Sequence, residues 1–104
     1  MKVIWSPLAM ERVYEIAEYM RRDSLQSAQR LVSEIFDRSA RLERFPQSGR
    51  IVPEVGRPDI REVLHGSYRI IYRVSSKRVD ILTVRHAKQI LPIEDVETST
   101  SLSP

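Results

Sequence analysis

The chain has 104 residues, of which 41% are hydrophobic and 30% charged, with a formal net charge of +3; this fits one small globular domain and excludes a disordered chain. There is no cysteine, so neither a disulfide framework nor a thiolate zinc site is available, and no run approaches the roughly 18 apolar residues of a membrane span. Positive charge is concentrated: Arg57 to Lys88 holds eight cations against three anions, a net +5, whereas the residues from Gln89 onward carry Glu94, Asp95 and Glu97 and no cation. A local basic surface of this kind points to an acidic partner, either nucleic acid or an acidic protein segment.

Lys2-Val3-Ile4-Trp5 reads as a short apolar strand. Met1 to Trp5, closed by Ser6-Pro7, is too short for the apolar part of a signal peptide, and the expected location is the cytoplasm, with no membrane partner. Ser6 is a natural helix N-cap and Pro7 suits the first helical position, where no amide hydrogen is needed. Ala9, Val13, Ile16, Ala17 and Met20 then form one apolar stripe. Asp23-Ser24 is a turn and cap, and a second helix is expected from about Leu25 to Phe45, with Ala28, Leu31, Val32, Ile35, Ser39 and Leu42 on its apolar side. So short a connection makes the two helices antiparallel neighbours. Pro46 stops the second helix, because the residue before a proline disfavours the α region.

Pro46 to Asp59 is a loop by composition, long for so small a domain, and loops of that length are functional or pinned by their own side chains. Its Gly49-Arg50 reads as a turn whose glycine permits positive φ, with Arg50 free to fold back onto carbonyls. Ile60 to His86 reads as three antiparallel strands separated by His65-Gly66-Ser67 and by Ser75-Ser76-Lys77-Arg78. A turn at Ser75–Arg78 sets Val74 against Val79, Arg73 against Asp80 and Tyr72 against Ile81, and the opposite charges of the middle pair support that register. Carried on unbroken, it sets Ile70 against Thr83, Arg69 against Val84 and Tyr68 against Arg85. One face then holds Tyr68, Ile70, Tyr72, Ile81, Thr83 and Arg85 and covers the helices. The other holds Arg69, Ile71, Arg73, Leu82, Val84 and His86, and is the face expected to do the work; a one-residue slip exchanges the two. After Ala87 the pattern fades. Residues 1–88 are expected to form the single domain and 89–104 a tail that is partly disordered, Thr98 to Pro104 most of all.

The order of elements is strand, two helices, loop and three strands, an α+β chain of β-α-α-β-β-β type with an antiparallel sheet packed against an αα-hairpin. With FPQSGRIVPE in the loop, HGSYRIIYRV in the strands and VRHAK at their end, it resembles the RelE/ParE superfamily of type II toxins over roughly Val3 to Lys88. That resemblance implies a protein neutralised by a cognate antitoxin, which itself reads the operator, so no direct sequence-specific DNA binding is expected of this chain. One branch of the superfamily cleaves ribosome-bound mRNA without a metal, using basic side chains around the scissile phosphate; the other poisons DNA gyrase. Ile60 and Glu62 stand about where the ribonuclease branch carries lysines, and Gln89 about where it carries an arginine. YEIAEYM, GRIVPE and VRHAK look more like the gyrase branch, so a gyrase inhibitor without cofactor or metal is the expectation.

If the chain were a ribonuclease, Arg61, Arg69, Arg85 and His86 would be its catalytic set, and a third possibility is a non-toxic antitoxin-binding module. Arg61, Arg69, Arg73, Arg85 and His86 are the candidate partner-binding residues. Beside that stand plainer readings: Arg73 serving Asp80, His65 solvated in its turn, and His86 a polar exit residue. The two histidines lack ligand spacing and a carboxylate cluster, so no metal is expected.

Overall fold

The computed structural model describes residues 1–89 and 91–101, the side chains of 98–101 excepted. Strand β1 (Lys2–Trp5) leads into helix α1 (Pro7–Arg21), followed by α2 (Leu25–Ala40), β2 (Arg50–Ile51), β3 (Ile60–His65), β4 (Tyr68–Val74), β5 (Arg78–His86) and α3 (Ile93–Ser101). Ser6 caps α1 as its position dictates: its Oγ accepts from the Ala9 amide at 3.0 Å and donates to the Leu82 carbonyl at 3.0 Å, so the cap also ties the helix start to the sheet. Ser24 does the same for α2 through the Ser27 amide. Helix α2 ends at Ala40, five residues short of the proline, and a 3-10 turn over Arg41–Glu43 carries Leu42 into the core instead.

The sheet order is β1-β5-β4-β3-β2. All pairings are antiparallel except β1 with β5, which is parallel and runs only over Lys2–Trp5 and Arg78–Ile81. The sheet is therefore antiparallel apart from this one short edge pair. Among the described residues, no strand pairs with that edge of β5 beyond Ile81.

The expected pairing of β4 with β5 holds from Val74 to Tyr72 and then slips. Tyr72 faces Ile81, but Ile71 faces Thr83, Ile70 faces Val84, Arg69 faces Arg85 and Tyr68 faces His86. Leu82 is the extra residue of a β-bulge, and one extra residue reverses every side chain beyond it. Val84 thus joins the hairpin-side core with Val63, Ile70, Tyr72, Val79 and Ile81 against Ala9, Val13, Ile35 and Leu42. Thr83 turns to the opposite face. Two expectations are corrected by this bulge: Arg85 lies opposite Arg69 on the same side of the sheet, and His86 leaves Arg69's face and stands beside Tyr68, ring to ring at 5.6 Å.

The sheet's second face is covered too. Val52, Ile60, Ile71, Leu82, Leu91 and Val96 form a second buried cluster, with Val55 against it. Its cover comes from the loop after β2 and from the segment beyond residue 88. Beyond Ala87, where the sequence pattern fades, α3 forms, and Leu91, Asp95 and Val96 are buried. The expected disorder of Leu102 to Pro104 lies outside the described residues. Among the described residues no helix is long and apolar enough to cross a membrane.

Candidate functional site

Arg69 is the centre of the second face. It is 5% exposed, and each of its three guanidinium nitrogens donates to a carboxylate. Nε donates to Glu62 Oε1 at 2.7 Å, and Nη1 and Nη2 donate to the two oxygens of Glu54 at 2.8 Å each. Glu62, fully buried on β3, also accepts from Arg50 Nε at 2.6 Å. Glu54 accepts from the Leu91 amide at 3.3 Å. The result is an alternating chain of charges, Arg50, Glu62, Arg69, Glu54, that joins β2, β3, β4, the loop and the C-terminal segment. The paired arginine holds the Glu54 carboxyl down to about 2, against the opposing effect of burial, and Arg69 is raised in return.

Arg61 is equally occupied. It donates from Nε to the Pro58 carbonyl and from Nη1 to the Gly49 carbonyl, both at 2.9 Å. The carbonyl-binding task expected of Arg50 is thus done by Arg61, while Arg50 takes a carboxylate. Gly49 does not adopt positive φ; only Gly56 and Gly66 do. It is needed for space: a Cβ there would fall 2.6 Å from the Tyr72 hydroxyl and onto the Glu62 carbonyl. That hydroxyl accepts from the Gly49 amide at 2.9 Å, and burial pushes its ionisation up. The loop is pinned by Arg61 and Tyr72 of the strands as well as by its own Arg50 and Glu54.

Arg73 donates to Asp80 at 3.2 Å, as the register required, and Arg78 shares the same carboxylate. His65 is not free in its turn; Nε2 lies 2.8 Å from Glu34 Oε2 on α2. His86 Nδ1 accepts from the Lys88 amide at 3.1 Å, which places the neutral ring's proton on Nε2. Of the five candidate residues, the structure brings Arg69 and Arg85 to one face, adds Arg73 further along it, and leaves Arg61 and His86 elsewhere.

Sequence reasoning missed the residues of α1 and α3 that surround Arg85. Where β1 ends, a groove of about 420 Å³ opens between α1 and the end of β5. Arg12, Ile16 and Tyr19 line it from α1, and Tyr68, Arg85 and His86 from the sheet. Below it, Asp95 of α3 is 5% exposed and accepts from Arg12 Nη2 at 3.1 Å and from Thr83 Oγ1 at 3.1 Å. Asp95 raises the Arg12 ionisation further, and Glu15 adds to it. The signal for Asp95 was the apolar residues, Leu91 and Val96 among them, scattered through a tail that also carries its three acidic residues. Among the described residues, no group of three or more His, Asp or Glu side chains is arranged to hold a metal ion.

Comparison with known proteins agrees with this architecture. The family model described as "ParE toxin of type II toxin-antitoxin system, parDE" matches residues 3–91. "Putative toxin Y4kP" of Sinorhizobium fredii is 36% identical over 94 residues, covering 88% of this chain and 93% of that protein. A solved chain of the chromosomal ParDE system from P. aeruginosa superposes with a TM-score of 0.71 at 20% identity, over 85% of this chain and 97% of that one. With its hairpin, its sheet and the family match reaching from β1 past the end of β5, this chain belongs to the ParE toxin family of type II toxin–antitoxin systems.

Proposed function

We propose that this toxin acts in the cytoplasm by binding DNA gyrase and trapping its cleaved-DNA state, and that a cognate antitoxin neutralises it by docking on the toxin. The observation that carries the reading is the engagement of Arg69 by Glu54 and Glu62. A metal-free ribonuclease needs cations free to meet charge developing on phosphate, and here the central strand arginine is engaged internally, as is Arg61. Membership of the parDE family supports the same choice. A protein inhibitor needs no reacting group of its own.

Purified gyrase supplies the test. In a supercoiling assay, excess toxin is expected to suppress supercoiling and accumulate cleaved DNA; unchanged supercoiling with no cleaved product overturns the proposal. Ribosome-bound mRNA is expected to stay intact after induction. Growth unaffected by expression without antitoxin would instead identify a non-toxic binding module.

A further inference from the structure

We infer that the groove between α1 and the end of β5 seats an acidic side chain of the antitoxin, gripped by Arg85 between Tyr19 and Tyr68. The inference rests on the reading of this chain as a toxin neutralised by such a partner, and adds where and by what chemistry it is held.

Arg85 carries it. A guanidinium offers five N–H donors and accepts nothing, yet among the described residues that of Arg85 makes no hydrogen bond. Its nearest carboxylate oxygen, on Asp95, is 3.7 Å from Nη1, beyond hydrogen-bond reach. Its Nε is buried without an acceptor. Asp95 is already committed to Arg12 and Thr83. The side chain is only 19% exposed, so its charge has lost most of its water without gaining a full partner, a costly state that an incoming anion relieves. Arg69, directly across the ladder, shows the contrast: the same residue type on the same face, saturated by two glutamates.

The groove's other walls select what the anion belongs to. Arg12 is answered by Asp95 and by Glu15, and Glu15 itself stands at the groove, where it repels a polyanion. One underserved guanidinium is thus flanked by Ile16, Val84 and the rings of Tyr19 and Tyr68. That pattern fits a single Asp or Glu with an apolar neighbour, on a peptide, better than a phosphodiester chain, which needs a row of cations. A bidentate carboxylate matches the guanidinium fork. Tyrosine walls supply contact area at low entropic cost.

The experiment measures the affinity of purified antitoxin for the wild-type toxin and for Arg85→Gln and Tyr19→Ala, with thermal melts of each and a salt series. Arg85→Gln is expected to weaken binding by about 30-fold or more, the scale for truncating one side of a desolvated charge pair, and to flatten the salt dependence, which a merely structural role would not. Tyr19 is 71% exposed, so Tyr19→Ala keeps the fold and decides the matter should Arg85→Gln lose it; about fivefold weaker binding is expected. One Asp→Asn or Glu→Gln change in the antitoxin is expected to be non-additive with Arg85→Gln. Wild-type affinity in both toxin variants overturns the seat alone. Loss of single-stranded RNA binding in the variants, with antitoxin binding unchanged, overturns it in favour of RNA. A wild-type toxin that binds no antitoxin overturns the neutralisation reading, and the seat with it.

Discussion

Arg69 looks like a functional arginine in sequence and behaves as a structural one in space. Its three donor nitrogens meet two carboxylates, one of them fully buried. Removing it leaves Glu62 with Arg50 alone and Glu54 with an amide. Breaking a buried pair from one side costs about 3–5 kcal/mol, so Arg69→Ala is expected to lose that much in urea denaturation. A loss of toxicity in this variant would follow from lost folded protein and not from a lost contact. Glu54 adds a pH dependence with a definite sign. Its carboxyl sits at about 2 in the folded chain against an ordinary 4.5. A depressed carboxylate contributes stability that is complete above the unfolded value and is lost as pH falls through the folded one. Urea midpoints of the wild type are therefore expected to fall between about pH 4.5 and 2, and Glu54→Gln, which has no such proton to take up, is expected to start lower and fall less over that window.

At the level of elements, the sequence revealed what local chemistry decides. Ser6-Pro7 and Ser24 cap their helices, the apolar stripes face inward, and Arg73 meets Asp80. What it hid is what only tertiary packing decides. No residue marks Leu82 as a bulge: it is a good strand former between two others, and the shift arises where Ser6 fastens α1 to the Ile81 and Leu82 carbonyls. That one residue moved Val84, Arg85 and His86 to the faces opposite those expected, and the candidate site moved with them. Helix α2 stopped at Ala40, ahead of the proline, and Leu42 is buried from a 3-10 turn instead. Glu62, legible only as the wrong charge for a nuclease, is the buried acceptor that joins two arginines. The groove at Arg85 needed α3, whose three acidic residues and single buried valine give a weak pattern at helical spacing.

The whole molecule is a sheet with two unlike coats. The hairpin covers one face with a broad apolar layer, while the other is closed by a loop and a short helix held through Leu91, Val96 and Asp95. A chain ending at Lys88, the boundary its sequence pattern suggested, therefore loses more than a tail. It uncovers Ile60, Ile71 and Leu82, and losing even one buried leucine costs about 2–5 kcal/mol out of a total stability of about 5–15 kcal/mol. It also removes the carboxylate that Arg12, Thr83 and Arg85 share. The charge balance shifts in the same direction: the whole chain carries +3 and the residues from Gln89 carry −3, so the truncated chain carries +6. Self-repulsion in a smaller, more basic protein opposes the compact state. The truncated chain is expected to unfold at a lower urea midpoint and to bind the hydrophobic dye ANS before unfolding. Added salt is expected to recover part of the loss, because screening weakens the repulsion among the excess cations while leaving the missing apolar contacts unreplaced. An unchanged midpoint without dye binding would mean that the hairpin side alone holds the sheet, and that α3 is not part of what keeps this toxin folded.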